Sequence, residues 1–115
     1  MSNVTLNNEK FEKIKYYNKN NYEYWEAREL SKALDYDDWR NFTKVLNKAM
    51  KECKDNNRLV EKNFIKYTKK LKFNLKIIDY KLSKYACYLI CKNGFSKKEA
   101  VLQGREYFKR KEKSS

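Results

Sequence analysis

The chain has 115 residues and a formal net charge of +13, with 28 Lys or Arg, 15 Asp or Glu, two Gly and no His. Without histidine the usual general base and the Ser-His and Cys-His nucleophile pairs are missing, and two glycines cannot build a phosphate loop, so we expect neither an enzyme nor a cofactor. The length suits one domain over residues 1–115, and the lack of a long apolar run or signal core predicts a cytoplasmic protein without membrane contact.

The N-terminal third is predicted to form a short helix, a hairpin and a second helix. The segment NNEKFEK (7–13) suits a helical turn. IKYY (14–17) and YEYW (22–25) are typical of aromatic-rich strands joined by the turn Asn18–Asn21. The helix that follows covers about residues 26–34. Its predicted inward residues are Ala27, Leu30, Ala33 and Leu34.

The clearest helical pattern extends from about residue 38 to residue 53. Its apolar residues recur every three or four positions, namely Trp39, Phe42, Val45, Leu46, Ala49, Met50 and Cys53. Four basic residues fall on the outer face within an arc of about 80°. These are Arg40, Lys44, Lys48 and Lys51. Charged stripes are most often simply solvated, but this arc has no interleaved acid to supply i,i+4 pairs, which makes it a candidate binding surface.

Residues 60–80 are predicted to be a long extended hairpin linked by Thr68–Lys72. Between Glu61 and Asp79 the sequence has no acid but six lysines, which are Lys62, Lys66, Lys69, Lys70, Lys72 and Lys76. Aromatic residues, among them Tyr67, are interleaved with them. One interpretation is that the lysines follow a phosphate backbone while the aromatics stack on unpaired bases. In the other, the aromatics face the core and the lysines protect an edge strand from aggregation.

Two further helices are predicted in the C-terminal third. In DYKLSKYACYLI (79–90) one apolar face is formed by Leu82, Tyr85, Ala86, Leu89 and Ile90. Gly94 stands where a C-cap glycine belongs, and Ser96 with Glu99 forms a capping-box pattern that begins the last helix at Ser96. Gly104 is expected to permit close helix packing. From about residue 109 the basic tail is expected to be frayed. The inward residues of the last helix are Ala100, Val101, Gly104, Tyr107 and Phe108.

The three cysteines are Cys53, Cys87 and Cys91, an odd number without CxxC spacing, which favours reduced thiols. Cys87 and Cys91 lie four residues apart on one predicted helix. A metal pair there would lack the remaining ligands of a tetrahedral zinc site, since the chain has no histidine. We therefore expect packing cysteines and no metal.

The positive charge is unevenly distributed. Residues 1–40 carry seven Lys or Arg and eight Asp or Glu, a net of −1, whereas residues 41–115 carry 21 and seven, a net of +14. An AT-rich genome would also enrich Lys, Asn and Tyr, but that bias would spread evenly along the chain. The clustering favours a polyanion, most simply nucleic acid, as the partner.

Two segments resemble one family of modules. YEYWEARELSKALDYDDWRNF (22–42) and DYKLSKYACYLI (79–90) are similar to BRO-N (baculovirus repeated open reading frame) domains, a group that includes phage antirepressors and damage-inducible proteins of the D type. The resemblance implies an α+β fold, a small antiparallel β-sheet of two hairpins packed with four to five α-helices. It also implies association with DNA binding and the damage response, and it supplies no catalytic motif.

Two functions of different classes follow from these features. The first is a small DNA-binding regulator of phage or mobile-element type. The second is an interaction protein that inhibits a host nucleoprotein machine or defence nuclease, such as an RNA-guided nuclease or a recombinase filament, by occupying its nucleic-acid channel or an acidic groove. We also consider a homodimer, because paired DNA sites would suit one. In either case the predicted contacts are Arg40, Lys44, Lys48, Lys51, Lys62, Lys66, Tyr67, Lys69, Lys70, Lys72 and Lys76.

Overall fold

The protein is built from one antiparallel sheet and a set of helices packed on it, as seen in a computed structural model that describes residues 9–114. Within these residues there are four strands and six α-helices, so the predicted α+β class is confirmed. The strands are β1 (Lys15–Tyr17), β2 (Glu23–Glu26), β3 (Phe64–Lys70) and β4 (Lys76–Leu82). The helices are α1 (9–13), α2 (Ala27–Ala33), α3 (Trp39–Asp55), α4 (Val60–Asn63), α5 (Lys84–Lys92) and α6 (Glu99–Ser114). Residues 7 and 8 of the predicted first helix lie outside the described residues.

The sheet has the strand order β1-β2-β4-β3, and all its neighbours are antiparallel. Both predicted hairpins are present, β1–β2 and β3–β4. In the first turn, the Asn18 side-chain oxygen accepts hydrogen bonds from the backbone N–H groups of Asn20 (2.8 Å) and Tyr22 (3.0 Å). Asn21 takes the left-handed φ of 65°, which asparagine tolerates. The turn therefore forms because its residue types suit it.

One face of the sheet begins the hydrophobic core. Trp25 pairs with Leu82, and Leu82 pairs with Phe64, so the three side chains point to the same side and are buried. The Trp25 ring lies 4.9 Å from that of Phe108, and its indole N–H donates to the Phe11 carbonyl at 2.9 Å. The sheet is thereby joined to α1 and α6. In the second layer α5 packs against both α6 and α3.

The predicted boundaries of the second hairpin are wrong at both ends. Residues Val60–Asn63 are helical, and the strands pair continuously from Phe64↔Leu82 to Lys70↔Lys76. The link is thus residues 71–75, closed by a 2.7 Å hydrogen bond from the Leu71 N–H to the Leu75 carbonyl. Alternation of residue types reveals extended chain but not which rungs of the ladder close, and this accounts for the error.

The predicted helix over residues 79–90 is wrong in its first part. Residues 79–82 complete β4, and α5 begins at Lys84. Ser83 is the N-cap, since its hydroxyl accepts the Ala86 N–H at 3.0 Å. Leu82 is buried as predicted, but from a strand. Leu82 and Tyr85 are three residues apart, as on a helix face, but they lie on either side of the boundary between β4 and α5, so the match to the helical period is a coincidence.

The predicted capping box at Ser96 is also wrong, because α6 begins at Glu99 and the Ser96 hydroxyl accepts from Arg105 at 2.8 Å. Gly94 has no positive φ, so it does not serve as a left-handed C-cap. A Cβ at Gly94 would instead lie 2.9 Å from a Val101 methyl. The packing role predicted for Gly104 is confirmed by the close approach of Cys91. Helix α6 continues to Ser114, past the point where fraying was predicted.

None of the helices in the described part of the chain has the length and apolarity that crossing a membrane would require.

Candidate nucleic-acid interface

The outer half of the β3–β4 hairpin carries lysines on one exposed face. The pairs Lys66↔Tyr80, Thr68↔Ile78 and Lys70↔Lys76 alternate with those of the opposite face. The pair Phe64↔Leu82 lies on the same face as these lysines, at the inner end of the hairpin, and it is the only pair of this face that is buried in the core. From Lys70 to Lys76 every residue is exposed, so this part of the hairpin projects as a two-stranded ribbon.

Four of the predicted contacts on this ribbon are exposed and make no ion pair within residues 9–114. They are Lys66, Lys70, Lys72 and Lys76. Lys70 and Lys76 stand directly opposite each other, and like charges in that position are destabilising. The ribbon therefore concentrates positive charge that the described part of the protein does not neutralise.

Two other predicted contacts are engaged within the protein. On the opposite face of the ribbon, the Tyr67 hydroxyl donates to Glu26 at 2.8 Å, and the Lys69 ammonium donates to the same carboxylate at 2.9 Å. Lys69 also lies 3.8 Å from Asp79. The Glu26 hydrogen bond raises the pKa of Lys69, while burial and then Glu26 raise the pKa of Tyr67. These side chains anchor the ribbon to the rest of the sheet.

The basic stripe of α3 lies on the exposed side of that helix. Helix α3 begins at the predicted place because the Asp38 carboxylate accepts the Arg40 N–H at 2.8 Å. Arg40, Lys44 and Lys48 are exposed and make no ion pair among the described residues. The expectation that the stripe lacks i,i+4 partners is wrong for Lys51, because α3 continues past residue 53 to Asp55, whose carboxylate lies 3.1 Å from the Lys51 ammonium. This exposed pair weakens the contribution of Lys51 to the stripe.

Lys62 belongs to neither surface. It lies on α4 and lines an open groove of about 810 Å³ beside the β1–β2 hairpin. Sequence reasoning missed the other basic residues of this groove, which are Arg58, Lys81 and Lys84. The Arg58 guanidinium lies 4.0 Å from the Tyr85 ring centre. Because the groove is assembled from distant segments, no local sequence pattern could have indicated it.

A cluster of opposite charges joins the N-terminal hairpin to α6. The Lys15 ammonium contacts Glu12 at 2.8 Å and Glu23 at 2.9 Å, and Lys111 contacts Glu23 at 2.7 Å. Partial burial alone would raise the pKa of Glu12, but hydrogen bonds from Lys15, Tyr107 and Lys111 hold it at about 2. The lysines of this cluster are neutralised, unlike those of the ribbon.

The cysteines pack in the core, as the sequence predicted. Cys53, Cys87 and Cys91 are free and buried, and burial raises the pKa of each thiol. Within residues 9–114 no group of three or more Cys, Asp and Glu side chains is arranged to hold a metal ion.

Comparison with known proteins agrees with the resemblance found in the sequence. The BRO family, N-terminal domain (Bro-N), matches residues 13–109. DNA damage-inducible protein D of Escherichia coli (strain K12) is 38% identical over 104 residues, which cover 85% of this chain and 37% of that protein. The chain thus spans little more than a third of that relative's length. No solved structure is significantly similar to it. Since the Bro-N match extends from α1 into α6, the chain belongs to the BRO family and contains its N-terminal domain.

Proposed function

We propose that this Bro-N domain is a DNA-binding regulatory module in which the β3–β4 ribbon is the principal contact with duplex DNA. The observation that carries the proposal is the group of four exposed, unpaired lysines on the ribbon, Lys66, Lys70, Lys72 and Lys76. Two-stranded β-ribbons of this kind lie in the major or the minor groove of duplex DNA. Its lysines would neutralise phosphates and release bound counterions, which supplies most of the sequence-independent affinity.

The stripe on α3 supports a second contact of the same kind. Arg40, Lys44 and Lys48 project from one exposed helix face without a carboxylate partner among the described residues. In our proposal Tyr67 and Lys69 do not touch DNA, because Glu26 already holds them. Lys51 contributes less than its neighbours, since Asp55 accompanies it.

The name of the Escherichia coli relative describes that protein as inducible by DNA damage. We propose that the present chain regulates a similar response, or a phage or mobile-element switch of the antirepressor kind. Such regulators commonly bind paired half-sites as dimers. A homodimer that presents two ribbons is therefore part of the proposal.

The experiment is a binding titration with a fluorescent duplex at salt concentrations of about 50 and 200 mM. One variant changes Lys66, Lys70, Lys72 and Lys76 to Glu. The matched control changes Lys13, Lys19, Lys97 and Lys109 to Glu, which alters net charge equally at exposed positions outside both surfaces. We expect the ribbon variant to lose duplex binding and the control to retain most of it, with unchanged circular dichroism for both.

Equal loss in the two variants would show that only net charge matters and would refute the ribbon as the contact. Failure of the unmodified protein to bind the duplex near about 100 mM salt would refute the proposed contact with duplex DNA. In that case the inhibitor function becomes the better explanation. A pull-down from a host lysate would then identify a partner with an acidic groove.

A further inference from the structure

The turn at the end of the ribbon exposes three large apolar side chains within five residues. Phe73 is 91% exposed, Leu75 is 60% exposed and Leu71 is 44% exposed. Single exposed apolar residues are common, but a cluster at a projecting tip indicates a surface that is buried by a partner. We call Leu71, Phe73 and Leu75 the apolar tip.

The backbone at the apolar tip is strained at one residue. Phe73 has φ 62° and ψ 31°, in the left-handed region that bulky side chains avoid. The other described residues with a positive φ are asparagines or aspartates, which adopt the left-handed conformation readily. They are Asn21, Asp35, Asn57 and Asn74. Strain of this kind persists where packing compensates for it, yet the Phe73 ring contacts almost nothing. In the free protein two backbone hydrogen bonds hold the turn instead, from the Leu71 N–H to the Leu75 carbonyl at 2.7 Å and from the Leu75 N–H to the Lys72 carbonyl at 3.3 Å, and the Phe73 ring projects unburied.

The charges around the apolar tip indicate which class of partner covers it. Lys70 and Lys76 face each other at the last rung before the turn, and Lys72 lies inside it. All three are exposed, and within residues 9–114 none of them has a carboxylate partner. A ligand that buries the apolar tip and neutralises these three lysines must present an apolar surface with negative charges on either side of it. Duplex DNA has this arrangement, with phosphates flanking stacked bases.

We propose that Phe73 inserts as a wedge between two base pairs, with Leu71 and Leu75 against the groove wall, and that the ribbon thereby bends the DNA it binds. This inference rests on the proposed function. Apolar wedges of this kind partly unstack a base step and kink the duplex by roughly 20–90°. Lys70, Lys72 and Lys76 then neutralise the phosphates on either side of the kink. Pyrimidine–purine steps should be preferred because they unstack most easily.

The test measures binding and deformation separately on one duplex. The duplex carries dyes at its ends, so that bending raises energy transfer, and 2-aminopurine in a central TA step, so that unstacking raises fluorescence. The wedge variant is Phe73→Asn, which removes the ring and suits the left-handed backbone. The matched control is Phe95→Asn, an exposed phenylalanine (55%) outside the ribbon.

The unmodified protein and Phe95→Asn should bend the duplex and raise the 2-aminopurine signal. Phe73→Asn should keep duplex binding and its salt dependence, because all four lysines remain, and should lose both deformation signals. Binding without deformation by the unmodified protein would overturn the wedge and leave the proposed function intact. Absence of duplex binding would overturn both.

An apolar tip surrounded by lysines could also dock on an anionic lipid surface. The same two variants distinguish lipid from DNA as the partner. Vesicles containing phosphatidylglycerol are the probe. If Phe73→Asn abolished vesicle binding and left DNA bending unchanged, the wedge would be refuted in favour of lipid. We expect no Phe73-dependent vesicle binding.

Discussion

At Gly104, α6 lies so close to α5 that only a hydrogen atom fits. A Cβ at this position would stand 2.6 Å from the Cys91 sulfur and 3.0 Å from a Leu34 methyl, both of them in the core. We expect Gly104→Ala to lower the free energy of unfolding by about 1–3 kcal/mol, because the clash exceeds the gain of about 1 kcal/mol from better helix propensity. Urea denaturation followed by circular dichroism measures it.

Cys91→Ala in the Gly104→Ala background provides the check on this mechanism. The smaller side chain gives the new methyl space, so the double variant should lose less stability than the two single changes predict together. Strict additivity of the two effects would contradict a direct clash.

Asp79 connects two secondary-structure elements, because its side chain joins β4 to the beginning of α2. Its carboxylate is fully buried and accepts the backbone N–H groups of Arg28 (3.1 Å) and Tyr80 (2.8 Å). Helix α2 receives no side-chain cap from its own N-cap residue, Glu26. A residue 51 positions away in sequence thus satisfies a donor in its first turn.

We expect Asp79→Ala to lower the free energy of unfolding by about 1–3 kcal/mol, since two partly buried backbone N–H donors lose their acceptor. Asp79→Asn keeps a side-chain oxygen and should be intermediate. The control is Asp55→Ala, which removes only an exposed pair with Lys51 and should change stability by about 1 kcal/mol or less. Chemical denaturation measures all three, and equal effects of Asp79→Ala and Asp55→Ala would contradict the capping role.

The charge cluster that joins the N-terminal hairpin to α6 should make stability depend on acid. The pKa of Glu12 is lowered to about 2 from its ordinary 4.5. Its stabilising contribution is therefore complete above about pH 4.5 and disappears as the pH falls to about 2. Glu12→Gln should be less stable than the unmodified protein at pH 7, and this difference should shrink as the pH falls through that window.

Thermal denaturation at pH 7, 4 and 3 measures this difference in stability. The control is Glu106→Gln, on an exposed part of α6, whose pair with Arg110 at 3.9 Å is screened by solvent. A constant difference between Glu12→Gln and the unmodified protein over the whole range would refute the linkage.

At the scale of the whole molecule, the salt dependence of binding distinguishes contact by the ribbon alone from contact by both the ribbon and the α3 stripe. On duplex DNA each neutralised phosphate contributes about 0.9 to the slope of log affinity against log salt. Changing Lys66, Lys70, Lys72 and Lys76 to Gln should reduce that slope by up to about 3.6. Changing Arg40, Lys44 and Lys48 to Gln should reduce it by up to about 2.7 if α3 is also in contact.

Titrations at four or more salt concentrations measure these slopes. A reduction for the ribbon variant alone would show that one surface binds DNA and that the α3 stripe is merely solvated. No change for the ribbon variant would contradict the proposed contact. The control with Lys13, Lys19, Lys97 and Lys109 changed to Gln should keep the original slope.

Local pattern was sufficient to predict much of the fold. The apolar repeat of α3 predicted that helix closely, because a buried stripe at helical spacing has few other solutions. Both hairpins were predicted from alternation and turn residues. The errors lie at boundaries, at Val60–Asn63, residues 79–82 and Ser96. There, hydrogen bonds to distant residues decide where an element ends, as when the Ser83 N–H donates to the Asn63 carbonyl at 3.1 Å.

By itself, the sequence determined the excess of positive charge, which follows from its residue types, and the resemblance of residues 22–42 and 79–90 to BRO-N domains implied the family and the α+β class. Only the tertiary structure decided which charges are available to a partner. Lys69 is held by Glu26, 43 positions away, whereas Lys70 beside it in sequence is exposed on the other face of the ribbon. The physical reason is that an ion pair depends on distance in space, and folding brings together carboxylates and ammonium groups whose separation along the chain carries no signal.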